Sequence, residues 1–266
     1  MSIRALWACF LAGFRRWSAY RAATAAGAFT NTMFGLTKAS ITVAAIGAAG
    51  GTLAGYDVRA GATYAWLTQA LLGPVYVFHW DELAQRVRTG DIAVDFARPV
   101  DLQLSWLAAD LGRAAVTVLP RGIPPIVVGA LTFGLTGPDE VDAYVLGALS
   151  IVLAVSISFL CRFAVNLCAF WLIEIRGALT LYMVVSGVLC GLIIPVHWFP
   201  SWLKALANAT PFPSTLQTPV DILSGRVTGV EAVGVFVVQI GWLVATLVLG
   251  RLVLARGTHR LVVQGG

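Results

Sequence analysis

The chain has 266 residues, of which 58% are hydrophobic and only 12% are charged. A soluble domain has about 25% charged residues, so this composition excludes an ordinary soluble protein and indicates an integral membrane protein. The formal net charge is +5, but the basic residues flank apolar runs, as the positive-inside rule requires, and form no patch with aromatic residues. We therefore expect the chain to contact membrane lipid and not to bind nucleic acid.

Residues 1–21 show an amphipathic pattern that predicts a helix lying on the inner surface of the membrane. The apolar stripe recurs at helical spacing and consists of Ile3, Leu6, Trp7, Phe10, Leu11, Phe14 and Trp17. Arginines lie off this stripe, where anionic lipid attracts them. A signal peptide is the alternative, but charged and aromatic residues continue to Arg21 and no compact apolar core precedes a cleavage site.

Six apolar runs follow, and we assign them as membrane spans, each of which needs about 20 residues. They cover residues 23–49, 62–80, 102–135 and 143–173, a stretch that begins near residue 178, and residues 230–254. Six spans place both termini in the cytoplasm, and the distribution of basic residues agrees. We expect an all-α integral membrane fold with a single transmembrane domain over residues 1–266. The third run contains Pro120, Pro124 and Pro125, which we expect to kink or break its helix.

Two of these runs contain small and polar residues inside the predicted span. Asn31, Gly35 and Lys38 lie in the first run, and Gly187 and Gly191 form a small-xxx-small pattern in the fifth. A lysine at membrane depth must face a partner or water. Two interpretations stay open: these residues line a translocation path or a dimer interface, or the first helix is tightly packed and Lys38 reaches the outer surface.

Residues 81–101, DELAQRVRTGDIAVDFARPVD, are the longest charged segment and must form a loop at a membrane face. Leu83 and Val87, four residues apart, predict a short helix that Gly90 ends. Residues 92, 94 and 96 then alternate with small or charged residues, and Pro99 fixes an extended exit. The candidate contact residues of the loop are Glu82, Leu83, Arg86, Val87, Arg88, Gly90, Asp91, Phe96, Arg98 and Pro99. An ordinary solvated loop is the alternative.

Residues 193–226 contain prolines at positions 195, 200, 211, 213 and 219, which exclude one continuous helix. The side chains of Trp198 and Trp202 favour the membrane interface. One interpretation of this segment is a loop in the aromatic belt of the membrane, with no role in transport.

Motifs of the charged loop and of the proline-rich segment resemble those of a known family. They are R-T-G-D-I at residues 88–92, F-A-R-P-V at 96–100, P-V-H-W-F-P-S-W-L at 195–203 and P-x-x-I-L-S-G at 219–225. The chain is similar to the permeases of ABC transporters of the type-2, exporter-like class, and within that class to a group of short permeases of uncharacterised transport systems. The likeness covers nearly the whole chain, including the terminal V-Q-G-G.

The resemblance implies that residues 81–101 carry a coupling helix that docks in a groove of an ATPase subunit. It also implies that residues 193–226 form an external pair of re-entrant short helices, with a gate at Pro195, Trp198, Pro200 and Trp202. Two ATPase copies and a second permease, identical or different, would complete the transporter, with ATP and Mg²⁺ bound in the ATPase. The complex would lie in the inner (plasma) membrane and export an amphipathic or lipid-like substrate or drug by alternating access.

The chemistry that the sequence lacks narrows the function further. It has no G-x-x-x-x-G-K-[ST] motif, so the chain does not cradle nucleotide phosphates in that way. Paired carboxylates, G-x-S-x-G and metal-ligand clusters do not stand out either. We therefore expect no enzyme activity, cofactor or metal in this chain, and a membrane-embedded transferase would need residues that it does not supply. The alternative is an ATP-independent channel, or a scaffold that tethers a cytoplasmic partner.

Overall fold

The computed structural model describes residues 2–78, 80–172 and 174–260. Within these ranges the chain is all helical and forms no β-strand, as the composition predicts. The terminal V-Q-G-G motif lies outside the described residues. The α-helices are α1 Ile3–Ser18, α2 Arg21–Ala48, α3 Val58–Val75, α4 Glu82–Thr89, α5 Ile92–Ala97, α6 Leu102–Thr132, α7 Val141–Leu167, α8 Arg176–Leu189, α9 Ser201–Asn208, α10 Gln217–Leu223 and α11 Gly229–Thr258.

Three helices in the described part of the chain are long and apolar enough to cross a membrane: α6, α7 with the 3₁₀ turn that extends it to Phe170, and α11. Helices α2 and α3 coincide with predicted spans, but their polar and small residues make them less apolar. Helix α8 is apolar and has only 14 residues, about 21 Å at 1.5 Å per residue. The six-span count therefore stays a prediction.

Helix α6 is a single helix of 31 residues although it contains three prolines. A break at these prolines is therefore excluded, and a kink stays a prediction. Proline removes a backbone donor, but neighbouring helices make this tolerable in membrane helices, and α6 packs against α1, α2 and α3. Its first residues are fixed by Asp101, whose side chain accepts a hydrogen bond from the backbone N–H of Leu104 at 2.8 Å.

Helix α1 forms where the apolar stripe predicts it, and it packs closely along the first half of α6. A side chain at Gly13 would overlap the carbonyl of Ala109, and one at Gly112 would overlap the carbonyl of Phe10. The backbones of the two helices therefore touch. Trp7 stays exposed on the other side of α1, where the membrane surface can receive it.

The main hydrophobic core lies where α3 and α7 meet α10. Tyr64, Leu71 and Val75 of α3 pack there with Val155 of α7 and Val220 of α10. This contact ties the proline-rich segment to the long helices, so that α10 is part of the packed core and not a detached loop.

A second core fixes the charged loop to the membrane helices. Leu83 of α4 and Ile92 of α5 pack against Phe159 and Phe163 of α7 and against Leu102 at the start of α6. The loop therefore has a buried side, which positions its exposed side relative to the rest of the protein.

Candidate functional site

The charged loop consists of two short helices joined at Gly90. Gly90 has a φ of 83°, the left-handed conformation that glycine adopts without strain, and it ends α4 as the sequence predicts. The alternation of Ile92, Val94 and Phe96 suggests an extended segment, yet these residues lie in α5. The exit after α5 is extended at Arg98, with φ −76° and ψ 142°, which the following proline favours.

An ion pair joins the two short helices. Arg86 donates from Nε to Asp95 Oδ2 at 2.5 Å and from Nη2 to Asp95 Oδ1 at 2.9 Å. Such a bidentate pair fixes the relative orientation of the two groups. Arg98 approaches the same carboxylate at 3.5 Å, and Asp95 is buried. The loop is thus a compact unit with a defined shape.

Polar contacts attach this unit to two other helices. Asn166 of α7 accepts from the backbone N–H of Ala84 at 3.1 Å and donates to the carbonyl of Trp80 at 2.8 Å. On the other side, Arg16 of α1 pairs with Glu82 at 2.9 Å. A displacement of the loop would therefore act directly on α7 and α1.

The exposed side of the loop differs in part from the predicted contact set. Leu83 is 0% exposed, because it fills the core beside α7, and we remove it from the candidate contact residues. Glu82, Arg86 and Val87 are half-buried. We define the docking surface as the candidate contact residues that are exposed, together with the exposed Val94: Arg88, Gly90, Asp91, Val94, Phe96, Arg98 and Pro99. Val94 is 57% exposed and was missed because the alternating pattern gave it no special role.

The polar residues of α2 face α3 and α6. Asn31 donates to the carbonyl of Gln69 at 3.0 Å and to the carbonyl of Arg121 at 2.9 Å, and it accepts from Gln69 Nε2 at 2.7 Å. One turn later, Gly35 lies against the ring of Trp66, which a side chain there would overlap. These two residues therefore hold α2, α3 and α6 together within one chain.

Lys38 continues this face of α2. Its Nζ donates to Thr68 Oγ1 at 2.6 Å and to the carbonyl of Leu192 at 2.5 Å, and it lies 5.5 Å from the centroid of the Tyr64 ring. These contacts direct the ammonium group toward α3 and not outward along α2. Of the two interpretations left open by the sequence, they favour a lysine that faces the interior.

A cavity of about 530 Å³ lies beside this face, between α2, α3 and α6. Its polar lining includes Asn31, Lys38, Gln69 and Arg121, and its apolar lining includes Phe34, Leu72, Phe78 and Leu192. Asn31 and Lys38, two of the candidate translocation-path residues of the first predicted span, thus line this cavity, and Gly35 lies between them on α2.

The two glycines of the fifth predicted span do not form a helical motif. Helix α8 ends at Leu189, and Gly191 follows it with a φ of 84°. Gly187 and Gly191 therefore do not share a helix face, and the small-xxx-small interpretation is wrong. Gly191 serves another purpose, since its carbonyl accepts a hydrogen bond from the Tyr64 hydroxyl at 2.5 Å.

A buried ion cluster connects three of the helices and was missed by the sequence analysis. Asp110 accepts from Arg113 Nε at 2.7 Å and from Arg162 Nη2 at 3.1 Å, and Arg113 also donates to the carbonyls of Gly73 and Pro74. Arg162 is only 1% exposed, so it does not extend to the lipid headgroups. The spacing of Asp110 and Arg113, three residues apart in a helix, is the signal that could have revealed the pair.

The proline-rich segment contains two short α-helices, α9 and α10; that they form an external re-entrant pair stays a prediction. Of its candidate gate residues, Pro195 is buried, Trp198 is half-buried, and Pro200 and Trp202 are exposed.

Gln217 of α10 connects the proline-rich segment to α3 by hydrogen bonds. It accepts from Val196 N at 2.8 Å and from the Tyr64 hydroxyl at 2.9 Å, and it donates to Asp221 at 2.8 Å. Movement of the segment would therefore require breaking hydrogen bonds to α3.

Comparison with known proteins decides the family. The model of a family described as ABC-2 family transporter protein matches residues 34–265. The chain belongs to the ABC-2 transporter family. No curated protein and no solved structure matches it. The match includes the docking surface, α3, α6, the second half of α2 and the proline-rich segment.

As an ABC-2 permease, the protein is the membrane component of an ABC transporter. Such permeases are normally non-enzymatic subunits, and the family implies an association with an ABC ATPase. Membership also places the protein in a membrane, in agreement with its three long apolar helices.

Proposed function

We propose that this permease couples ATP hydrolysis by a separate ATPase subunit to the export of an amphipathic or lipid-like substrate across the inner membrane. The observation that carries the proposal is the docking surface on a loop that is folded, braced and bonded to α1 and α7. An ordinary solvated loop would need neither the Arg86–Asp95 pair nor the contacts of Asn166.

The exposed chemistry of the docking surface suits a protein partner. Val94 and Phe96 are 57% and 37% exposed, and they lie among the charged side chains of Arg88, Asp91 and Arg98. An apolar centre with a charged rim is typical of protein interfaces. ATP and Mg²⁺ would be bound by the partner, and two ATPase copies would serve two permeases, identical or different.

Transport would follow from the attachments of the loop. A displacement of the docking surface acts on α7 through Asn166 and on α1 through Arg16, and α1 is packed along α6. Because α6 and α2 both line the cavity, this route connects the cytoplasmic contact to the cavity. The external segment around Trp198 and Trp202 would then open or close the exit, with both termini in the cytoplasm.

The experiment is affinity purification of the tagged permease from its native cells in mild detergent, followed by mass spectrometry. An ABC ATPase at about equal copy number should accompany the wild type, and it should be lost from a variant with both Val94→Asp and Phe96→Asp, because desolvating a new charge at an interface core is costly. The matched control is Leu206→Asp on α9, an exposed apolar residue outside the loop.

Two outcomes would count against the proposal. Unchanged recovery of the ATPase with the loop variant would remove the docking surface from the contact. Recovery of the wild-type permease alone in several gentle detergents would favour the channel or scaffold instead.

A further inference from the structure

The cavity between α2, α3 and α6 is lined by two basic side chains and, among its described lining residues, by no acidic one. The two basic side chains are those of Lys38 and Arg121. Neither takes part in an ion pair within the described part of the chain. By contrast, Arg113 and Arg162 of the long helices α6 and α7 share the carboxylate of Asp110.

Both basic groups retain hydrogen-bonding capacity. Lys38 has three donors and uses two of them on neutral oxygens, those of Thr68 and Leu192. Arg121 Nε is buried and has no hydrogen-bond partner. The guanidinium lies against Gly27, where an added side chain would come within 2.8 Å of Nη2. Because Arg121 lines the cavity and Lys38 has one donor left, an anionic acceptor in the cavity would be favourable.

The rest of the lining is apolar and partly open. Leu72 and Leu192 form part of its wall, and Phe34 and Phe78 are exposed large hydrophobic side chains at its edge. The volume of about 530 Å³ falls in the range of small-molecule sites, roughly 300–1,000 Å³. Hydrocarbon can fill such a space while a head group remains beside a basic group.

The two basic groups are separated along the cavity. The Arg121 guanidinium lies against Gly27, and Lys38 follows Gly27 by eleven residues, about 16.5 Å along α2. A head group can therefore be held at one basic group and passed toward the other without leaving the cavity.

We propose that this cavity binds an amphiphile with a head group of net negative charge and a hydrocarbon chain, taken up laterally from the lipid bilayer. The proposal deepens the proposed function by naming the substrate class, and it rests on that function for transport but not for binding.

The test measures binding to the purified permease without an ATPase. Native mass spectrometry with equal amounts of phosphatidylglycerol and phosphatidylcholine compares an anionic with a zwitterionic lipid. The wild type should prefer phosphatidylglycerol by about ten-fold, the size of one charge-assisted hydrogen bond. Lys38→Met and Arg121→Met should each lose most of this preference, whereas Lys38→Arg and Arg121→Lys should keep it.

The controls are Lys204→Met and Arg59→Met, which remove a lysine and an arginine outside the cavity lining and should leave the preference unchanged. Any methionine variant that does not purify as a single species is replaced by the glutamine variant at the same position.

An equal preference in the wild type and in both cavity variants would overturn the proposal. So would displacement of phosphatidylglycerol from the wild type by inorganic phosphate in excess, because the site would then recognise a free anion and not an amphiphile. ATPase recovery is measured on the same proteins, so that the cavity and the docking surface are judged separately. A cavity variant that loses the lipid preference but still recovers the ATPase supports the cavity proposal. A wild type that recovers the ATPase but binds no lipid contradicts it.

Discussion

Arg86 and Asp95 form a bidentate ion pair across the turn between α4 and α5, with donor to acceptor distances of 2.5 and 2.9 Å. The carboxylate is buried and the guanidinium only partly exposed. The pair therefore fixes the orientation of α4 relative to α5. Its loss should lower the free energy of unfolding and weaken ATPase docking.

The first prediction concerns this pair. Asp95→Asn should lower the free energy of unfolding by about 1–3 kcal/mol, because it leaves Arg86 without its charged partner. The double variant with Arg86→Met should lose less than the sum of the single losses, since no charge is then left alone. Thermal unfolding in detergent measures both, with Arg88→Met on the exposed side as control. Strictly additive losses would show that the two groups do not interact.

A second prediction separates the core of the loop from its surface. Leu83→Ala should destabilise the protein by about 2–5 kcal/mol, the usual cost of a cavity in a packed core, because Leu83 is 0% exposed. Val94→Ala at the exposed position should cost little stability. Unfolding midpoints of the two variants provide the test. A stable Leu83→Ala protein that no longer binds the ATPase would restore Leu83 to the contact.

The third prediction is a pH dependence at the start of α6. Burial favours the neutral form of Asp101, but the hydrogen bond and charge of Arg251, together with the backbone N–H groups of Leu104 and Gln103, hold the pKa of this carboxyl below its usual value. A lowered pKa contributes stability above its ordinary value of about 4, and this stability is lost as the pH falls further.

Asp101→Asn should remove this dependence. The stability difference between the wild type and Asp101→Asn should therefore be largest at neutral pH and should shrink below about pH 4. Unfolding midpoints from pH 3 to 7 measure it. A difference that stays constant over this range would mean that Arg251 does not stabilise the ionised form.

The fourth prediction tests the orientation of the protein in the membrane. In a chain whose four native cysteines are replaced by alanine, Ser201→Cys should react with a membrane-impermeant maleimide in intact cells. Thr89→Cys should react only in inside-out vesicles. Both positions are exposed, so access depends on the side of the membrane. Labelling of both from one side would contradict the six-span arrangement.

The sequence predicts the helices of the loop unevenly, for a physical reason. Leu83 and Val87 have helical spacing and Gly90 follows them, so α4 and its end are predictable. Over six residues, however, an alternating pattern cannot be told from a helix. The buried residues Ile92 and Asp95 lie three apart, and this spacing results from contacts with α7 and Arg86 that are distant in sequence.

Long-range contacts also explain the other differences. Pro120, Pro124 and Pro125 indicate a break when α6 is considered alone, whereas the packed neighbours of α6 keep it continuous. Lys38 could be assigned to a span from composition, but its direction depends on Thr68 and on Leu192, which is 154 positions away. Composition and family motifs are therefore sufficient for the class of protein and not for the cavity.

Helix α1, the charged loop and the start of α6 are each in contact with the other two. Helix α1 touches α6 along its backbone at Gly13, it is bonded to α4 through Arg16 and Glu82, and α4 and α5 lead back to the first turn of α6. The backbone packing of α1 on α6 and the burial of Leu83 and Ile92 beside Leu102 supply most of the rigidity, and the exposed Arg16–Glu82 pair adds little to it. A force applied at the docking surface should therefore tilt α1, the loop and the start of α6 together as one lever, instead of being absorbed by bending of the loop.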